Sequence, residues 1–208
     1  MHSGKCNNRP LRRAVTVKFH DKREISCNNL IVLAEMKYIM GSENDMQIQK
    51  ATMEDWEEIR EIYAGARQFM AEHGNAGQWG KTNPPEELLL KNITEGKLYV
   101  CMDGEVIAAV FYFAVEEDPT YRVIEDGAWL NEEPYGVVHR IASARTTKGA
   151  ASFCMNWAFE QTGNIRIDTH ENNIPMQNML KKNGFQYCGR IYLENGEPRI
   201  AFQKINKE

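Results

Sequence analysis

The stretch of sequence that decides the fold reads Tyr135-Gly-Val-Val-His-Arg-Ile-Ala-Ser-Ala-Arg-Thr-Thr-Lys-Gly-Ala-Ala-Ser152. Its first part, as far as about Ala142, is typical of a strand. A short polar loop follows, and small residues from Gly149 onward then open a helix. Small side chains let a ligand approach the backbone, and the free N–H groups in the first turn of a helix attract an anion. The stretch therefore predicts an anion-binding turn, which Arg145 and Lys148 would reinforce.

Two kinds of nucleotide site do not fit this turn. A Walker A loop places its lysine directly after a glycine, whereas Lys148 precedes Gly149 here. The Gly-x-Gly-x-x-Gly fingerprint of dinucleotide-binding folds is absent from the chain as well. By itself the turn leaves one alternative open, a helix start built of small residues for close packing alone.

A second motif lies one predicted helix and one predicted strand further along the chain. It runs from His170 to Phe185 and places Asn173 before a helical pattern at 174–183. Gly184 follows that pattern directly and is typical of the residue that closes a helix. Because Asn173 and Gly184 stand at a fixed distance from each other, this segment can be compared with known sequence motifs together with the first one.

In this order and spacing, the two motifs resemble those of the GNAT superfamily of N-acetyltransferases. The diphosphate loop of that family reads Gln/Arg-x-x-Gly-x-Gly/Ala, and this chain has Thr146-x-x-Gly149-x-Ala151. The later family motif reads Asn-x-x-Ala-x-x-Leu-Tyr-x-x-x-Gly-Phe, and this chain has Asn173-x-x-Met176-x-x-Met179-Leu180-x-x-x-Gly184-Phe185. The resemblance implies an α/β (α+β) GNAT fold: a central, mixed, mostly antiparallel twisted sheet of six to seven strands with about four helices, its strands splayed at an acetyl-CoA cleft.

The periodicity of the chain agrees with that fold from about residue 46 to 204. Strand patterns occur at 46–51, 98–102, 105–113, 135–142, 164–168, 186–193 and 198–204. Thr52 caps a first helix, Pro84-Pro85 opens a second, and two more are predicted at 149–162 and 174–183. We predict a GNAT domain at 46–208, and an N-terminal extension with little regular structure at 1–45.

The resemblance implies direct transfer of an acetyl group from acetyl-CoA to a primary amine of a small molecule or peptide, without a metal. The strand before the turn would offer the N–H groups of His139 and Ile141 to the acetyl carbonyl and the pantetheine arm. Asn173 would reach the same arm. The diphosphate would contact the N–H groups of Thr147, Lys148, Gly149, Ala150, Ala151 and Ser152.

Two histidines are candidates for the base that takes a proton from the amine. His139 shares a strand face with Tyr135 and Ile141 in a regular strand, and His170 lies at the end of the next strand. Imidazole suits general-base catalysis at neutral pH, although a hydrogen-bonded structural residue is the commoner explanation for a single histidine. Three acidic residues of the preceding loop are further candidates: Glu125, Asp126 and Glu132.

One departure from the family pattern leaves a second function open. Leu180 stands where many relatives carry a tyrosine that protonates the departing thiolate. That proton would then come from elsewhere, or the domain is a non-catalytic acyl-CoA-binding regulatory module. An unrelated α/β protein remains a third alternative.

Aromatic residues mark the expected acceptor site. Gln78 and Trp79 lie in the loop between the first two predicted helices, which usually walls that site in relatives. Trp129 and Tyr192 are further candidates to bind substrate. Core packing or a lid between helices is the alternative for the two tryptophans.

Composition excludes several classes of protein. The 208 residues include 42% hydrophobic and 26% charged residues, with a net charge of −4, which gives no support for nucleic-acid or membrane partners. The five cysteines are scattered and include no Cys-x-x-Cys pair, so we expect a reducing, cytoplasmic location. No apolar run is long enough for a transmembrane helix. The resemblance is consistent with a homodimer.

Overall fold

A computed structural model describes residues 46–206, and the predicted extension at 1–45 lies outside them. The described chain forms one seven-stranded sheet in the order β1-β2-β3-β4-β5-β7-β6. All neighbours are antiparallel except β4 and β5. This confirms the predicted mixed, mostly antiparallel sheet. The strands are β1 (Met46–Lys50), β2 (Leu98–Asp103), β3 (Val106–Val115), β4 (Gly136–Ser143), β5 (Asn164–Thr169), β6 (Gln186–Tyr192) and β7 (Pro198–Ile205).

Five helices accompany the sheet within residues 46–206: α1 (Trp56–Glu72), α2 (Ala76–Trp79), α3 (Glu86–Thr94), α4 (Ala150–Thr162) and α5 (Ile174–Lys182). A short 3₁₀ turn precedes α1, where the Asp55 carboxylate accepts a hydrogen bond of 2.7 Å from the N–H of Thr52. The predicted cap at Thr52 is thereby confirmed. The four-residue α2 was not predicted, because two glycines nearby, Gly74 and Gly77, weaken any helical pattern in sequence.

The helices cover the two faces of the sheet. On the first face, residues of α1 and α3 such as Ile59, Tyr63 and Leu89 pack on strand residues that include Val137 and Ala142. On the second face, residues of α4 and α5 pack on the other strand residues: Cys154, Met155, Ala158 and Leu180 are all fully buried there. Both faces of the central strands are thus buried, which explains their nearly continuous apolar sequences.

A β-bulge interrupts β4 at the centre of the sheet. His139 pairs with Tyr112 and Ala142 pairs with Val110, so Arg140 and Ile141 together oppose one residue of β3. Arg140 has a φ of 52°, in the left-handed region that one type of bulge uses. The extra residue reverses the alternation, and Ile141 therefore packs on the second face. The prediction that Ile141 shares a face with His139 was wrong for this reason, since a bulge has no local sequence signature.

Strands β4 and β5 diverge after a short parallel pairing. Only two positions pair, Gly136 with Ile165 and Val137 with Arg166. Glycine is needed at the first of them, because a Cβ on Gly136 would lie 2.8 Å from both the Ile165 and Phe113 side chains. Beyond this point the strands separate, which confirms the predicted splay and opens the sheet toward α4 and α5.

Candidate functional site

A cleft of about 260 Å³ opens between the diverging ends of β4 and β5. Helices α1 and α2 and the turn after β6 close its other sides. Five residues predicted for the site line it: Gln78, Trp79, His139, Ile141 and Asn173. The other lining residues are Met70, Asn83, Leu88, Thr120, Val138, Arg140, Ile167, Asp168, Thr169, Met176, Leu193 and Arg199.

The imidazole of His139 lies between two carboxylates. Its Nε2 is 2.8 Å from Oδ2 of Asp118, and its Nδ1 is 4.0 Å from Oδ1 of Asp168. The hydroxyl of Tyr121 donates a hydrogen bond of 2.8 Å to the same oxygen of Asp168. Neither carboxylate was predicted as a site residue, because one comes from the loop after β3 and the other from β5.

The charge of Asp118 determines which nitrogen of His139 is free. Burial would raise the pKa of Asp118, but hydrogen bonds from His139 and Thr120 outweigh burial and lower it to about 2. An ionised carboxylate only accepts hydrogen bonds, so Nε2 of His139 must carry a proton. A neutral His139 therefore keeps its lone pair on Nδ1, the nitrogen that faces Asp168.

Tyr121 serves this cluster as a hydrogen-bond donor. Burial, together with the nearby charge of Asp168, raises its pKa well above the ordinary value for tyrosine. The phenol therefore keeps its proton at neutral pH and fixes the orientation of the Asp168 carboxylate. Leu180 is fully buried on the second face and brings no polar atom to the cleft.

The predicted anion-binding turn joins β4 to α4 as expected. Gly149 has a φ of 91° and precedes the helix, whose first internal hydrogen bond runs from the N–H of Phe153 to the carbonyl of Gly149. The N–H groups before Phe153 have no partner inside the helix. A Cβ on Gly149 would meet no protein atom within 4 Å, so the turn has open space at this point. An anionic group fits this arrangement.

Side-chain hydrogen bonds hold the turn in place. The hydroxyl of Thr147 donates to Oδ2 of Asp103 at 2.6 Å, and the N–H of Arg145 donates to the Ser143 hydroxyl at 3.1 Å. The Arg145 guanidinium lies 3.8 Å from the ring centre of Phe69 in α1. The turn is therefore tied to β2, β4 and α1, which places its N–H groups before any ligand binds.

Asn173 links α5 to the loop that was predicted to wall the acceptor site. Its Oδ1 accepts a hydrogen bond from the N–H of Met176 at 3.2 Å, and its Nδ2 donates to Oε1 of Gln78 at 2.8 Å. Asn75 donates to the same oxygen of Gln78 at 2.6 Å. Two residues predicted for different ligands, Asn173 and Gln78, are thus in direct contact.

Solved structures share this architecture. An acetyltransferase of the GNAT family from Streptococcus agalactiae is 30% identical with a TM-score of 0.72, and the match covers 78% of this chain and 96% of that one. The chain belongs to the GNAT acetyltransferase family. A GNAT-family acetyltransferase from Listeria monocytogenes is 20% identical, with a TM-score of 0.57 and coverage of 76% and 94%.

Salmonella typhimurium YncA, solved with its cofactor acetyl-CoA, also shares the GNAT fold. It is 15% identical with a TM-score of 0.51, over 79% of this chain and 96% of that one. No family model and no curated protein matches the sequence. The structural comparisons therefore carry the assignment to the family.

The remaining predicted site residues of this GNAT protein lie outside the cleft lining. His170 follows β5, and its Nδ1 accepts a hydrogen bond of 3.1 Å from the N–H of Asn172. Trp129 donates from its indole to the carbonyl of Tyr121 at 2.9 Å. The Tyr192 hydroxyl donates to the Glu125 carboxylate at 2.9 Å. Their catalytic or binding roles stay predictions.

Two of the three acidic candidates of the loop before β4 have basic partners. Asp126 lies 3.8 Å from Arg190, and Glu132 lies 3.9 Å from Arg166 while its own side chain is 91% exposed. Glu125 pairs with Tyr192, as described above. None of the three lines the cleft of this GNAT protein, in contrast to His139.

Within residues 46–206, no three His, Cys, Asp or Glu side chains come together as metal ligands would. None of the helices in that range combines the length and apolar character that a bilayer span needs.

Proposed function

We propose that this GNAT protein is an N-acetyltransferase that moves an acetyl group from acetyl-CoA directly to a primary amine of a small molecule or peptide. The observation that carries the proposal is the His139–Asp118 pair, in which His139 of the bulged strand β4 meets Asp118 of the loop after β3 at the mouth of the splayed sheet. Nδ1 of His139 takes part in no hydrogen bond within residues 46–206, and His139 lines the cleft, so a proton from a bound amine could reach this nitrogen.

Three groups of atoms would contact acetyl-CoA. The main-chain N–H groups at 147–152 would hold the diphosphate at the start of α4, where the helix dipole favours negative charge. The bulge at Arg140 and Ile141 would turn a main-chain N–H toward the acetyl carbonyl, since the inserted residue leaves the sheet ladder. Asn173 would reach the pantetheine arm by exchanging its hydrogen bond with Gln78.

The side chains of the cleft would prepare the amine. An alkylammonium has a pKa of about 10.4 and must lose a proton before it can react. Nδ1 of His139 would take that proton, directly or through one water, while Asp118 holds Nε2 and stabilises the resulting imidazolium. The neutral amine would attack the thioester carbonyl of bound acetyl-CoA and form the N–C bond. The C–S bond would then break, and the departing thiolate would take up, through water, the second proton that the nitrogen loses. A main-chain N–H at the bulge would stabilise the negative charge on the carbonyl oxygen.

An amine panel with CoA release as the readout tests the proposal. We expect turnover with at least one class of primary amine, and a loss of kcat/KM of about 100-fold in His139→Ala. His170→Ala tests the other predicted base. Binding of acetyl-CoA without turnover across the panel would instead support the non-catalytic module.

A further inference from the structure

Two opposite charges lie near each other on the first face of the sheet, and both line the cleft. Asp168 of β5 pairs with Ala201 of β7. Arg199 is two residues from Ala201 on the same strand, so its side chain projects from the same face as Asp168. Diagonal neighbours of this kind have their Cα atoms about 7–8 Å apart. The two residues are therefore near enough on the sheet for one small molecule to contact both side chains.

Asp168 has no strong cationic partner among residues 46–206. No lysine or arginine nitrogen lies within 4.0 Å of its carboxylate, and the nearest basic atom is Nδ1 of His139 at 4.0 Å. Its side chain is only 14% exposed. A carboxylate withdrawn from water in this way favours a cation beside it. An ammonium group bound there would lie next to the free nitrogen of His139.

Arg199 brings a buried positive charge to the same cleft. The residue is 5% exposed, and its guanidinium donates to the Pro198 carbonyl and to the half-exposed Glu197 carboxylate, each at 2.9 Å. A guanidinium has further N–H donors beyond the two used here. Its planar fork is suited to a carboxylate.

Four apolar side chains line the same cleft. Met70 and Trp79 come from α1 and α2, Leu88 from α3, and Leu193 from the turn after β6. A ligand that spans Asp168 and Arg199 would place its remaining atoms against these side chains. An apolar substituent would bury surface there without leaving a polar group unpaired.

We infer that the acceptor is a free α-amino acid with an apolar side chain, whose ammonium group binds Asp168 and whose carboxylate binds Arg199. This inference rests on the proposed function and specifies its substrate. A peptide N-terminus presents an amide where the amino acid has its carboxylate, and a simple amine presents nothing there. Both would lack a carboxylate for the N–H donors of Arg199 that Glu197 and the Pro198 carbonyl leave unused.

Matched pairs of acceptors test this assignment. Leucine is compared with 3-methylbutylamine, phenylalanine with phenethylamine, and each amino acid with a tripeptide that begins with it. We expect kcat/KM to favour the amino acid by about thirtyfold over both partners, the ratio expected for a charge-assisted hydrogen bond. In Arg199→Gln this ratio should fall by at least about tenfold, mainly through the KM of the amino acid.

Two further variants separate binding from a structural role. Glu197→Gln removes the ion pair of Arg199 but keeps its guanidinium, so the preference for amino acids should persist. Arg122→Gln removes an arginine that is 68% exposed and lies outside the cleft, and should leave the ratio unchanged. If Arg199→Gln and Glu197→Gln lose activity alike toward amino acids and amines, Arg199 only braces the hairpin and the inference is wrong.

The outcomes distinguish this inference from the proposed function. Equal rates for amino acids, amines and tripeptides overturn the amino-acid assignment but leave acetyl transfer standing. Absence of turnover with every acceptor overturns the proposed function. Calorimetric titration of leucine into the protein with CoA bound then tests separately whether the cleft binds a free amino acid. If the wild-type protein binds leucine and Arg199→Gln does not, the result supports a carboxylate site at Arg199. If the wild-type protein does not bind leucine, the inference is wrong.

Discussion

At the scale of single residues, the proposed chemistry of the cleft depends on how Asp118 holds His139. Asp118 also accepts hydrogen bonds from the N–H and hydroxyl of Thr120, at 2.8 and 2.6 Å. The carboxylate is therefore fixed by its own loop before it meets the imidazole. This arrangement presents Nδ1 of His139 to the cleft in a defined orientation, as a base requires.

The lowered pKa of Asp118 predicts an effect on acid stability. Its pKa in the folded protein is about 2, against 3.8 for an ordinary aspartate. Protonation of Asp118 therefore favours the unfolded state. The stabilisation is present above pH 3.8 and is lost as the pH falls through about 2. We expect the unfolding free energy of the wild-type protein to fall by about 2 kcal/mol more than that of Asp118→Asn over this range. Urea unfolding at several pH values measures both, and parallel curves would contradict the prediction.

At the scale of secondary-structure elements, the start of α4 is the part that the sequence defined best. Gly149 adopts a φ of 91°, which a side chain would strain. We expect Gly149→Ala to raise the Kd for CoA by about tenfold or more, because the added methyl group both strains the turn and enters the space beside the free N–H groups. Isothermal titration calorimetry measures the change.

Gly184 provides the matched control for this substitution. It has a φ of 82° at the end of α5, and the nearest atom to an added Cβ is the Lys204 side chain at 3.9 Å. Gly184→Ala should therefore carry a similar backbone strain without touching the turn before α4. Equal losses of CoA affinity in the two variants would show that strain alone is responsible.

The loop between β3 and β4 is held by one buried arginine. The guanidinium of Arg166 lies 4.4 Å from the ring centre of Trp129 and 4.1 Å from that of Tyr135, and it donates to the Asn131 carbonyl at 2.6 Å. We expect Arg166→Met to lower the unfolding free energy by about 2 kcal/mol, and to speed amide hydrogen exchange around Tyr121. Urea unfolding and hydrogen exchange measure the two effects.

An exposed arginine on an aromatic ring is the control for Arg166. Arg60 lies 5.9 Å from the ring centre of Trp56, and its side chain is 44% exposed. Arg60→Met should lower the unfolding free energy far less than Arg166→Met, because water screens both the contact with Trp56 and the ion pairs with Glu57 and Glu86. A similar loss in both variants would mean that burial between two rings adds nothing at Arg166.

The sequence predicted elements better than it predicted the contacts between them. Periodicity and turn residues located all seven strands, because both are local properties of the chain. The bulge in β4 was missed, and with it the face of Ile141. Asp118 and Asp168 were missed because the loop after β3 and strand β5 meet only in three dimensions. The sequence predicted His139 for the site because it lies a fixed distance before Gly149, and the structure places it in the cleft lining.

At the scale of the whole molecule, the splayed sheet makes stability depend on the ligand. Strands β4 and β5 pair at only two positions, whereas β3 and β4 pair along most of their length. The far halves of β4 and β5 are therefore joined through helices α4 and α5 and through whatever fills the cleft. A ligand that contacts both strands would replace the missing hydrogen bonds of the sheet.

Because β4 and β5 pair at only two positions, we expect a bound ligand to stabilise the protein most at these two strands. Acetyl-CoA at about 100 times its Kd should raise the unfolding free energy by about 2.7 kcal/mol, because it binds only the folded state. The amides of β4 after Val137, and those of β5 after its partner Arg166, should then exchange hydrogen more slowly. The exchange rates of the amides in β1 and β2 should change less. S-acetylpantetheine lacks the diphosphate and should protect the strands only at much higher concentration, since it cannot use the start of α4. If acetyl-CoA slows exchange uniformly or leaves β4 and β5 unchanged, the ligand does not bridge the splayed strands.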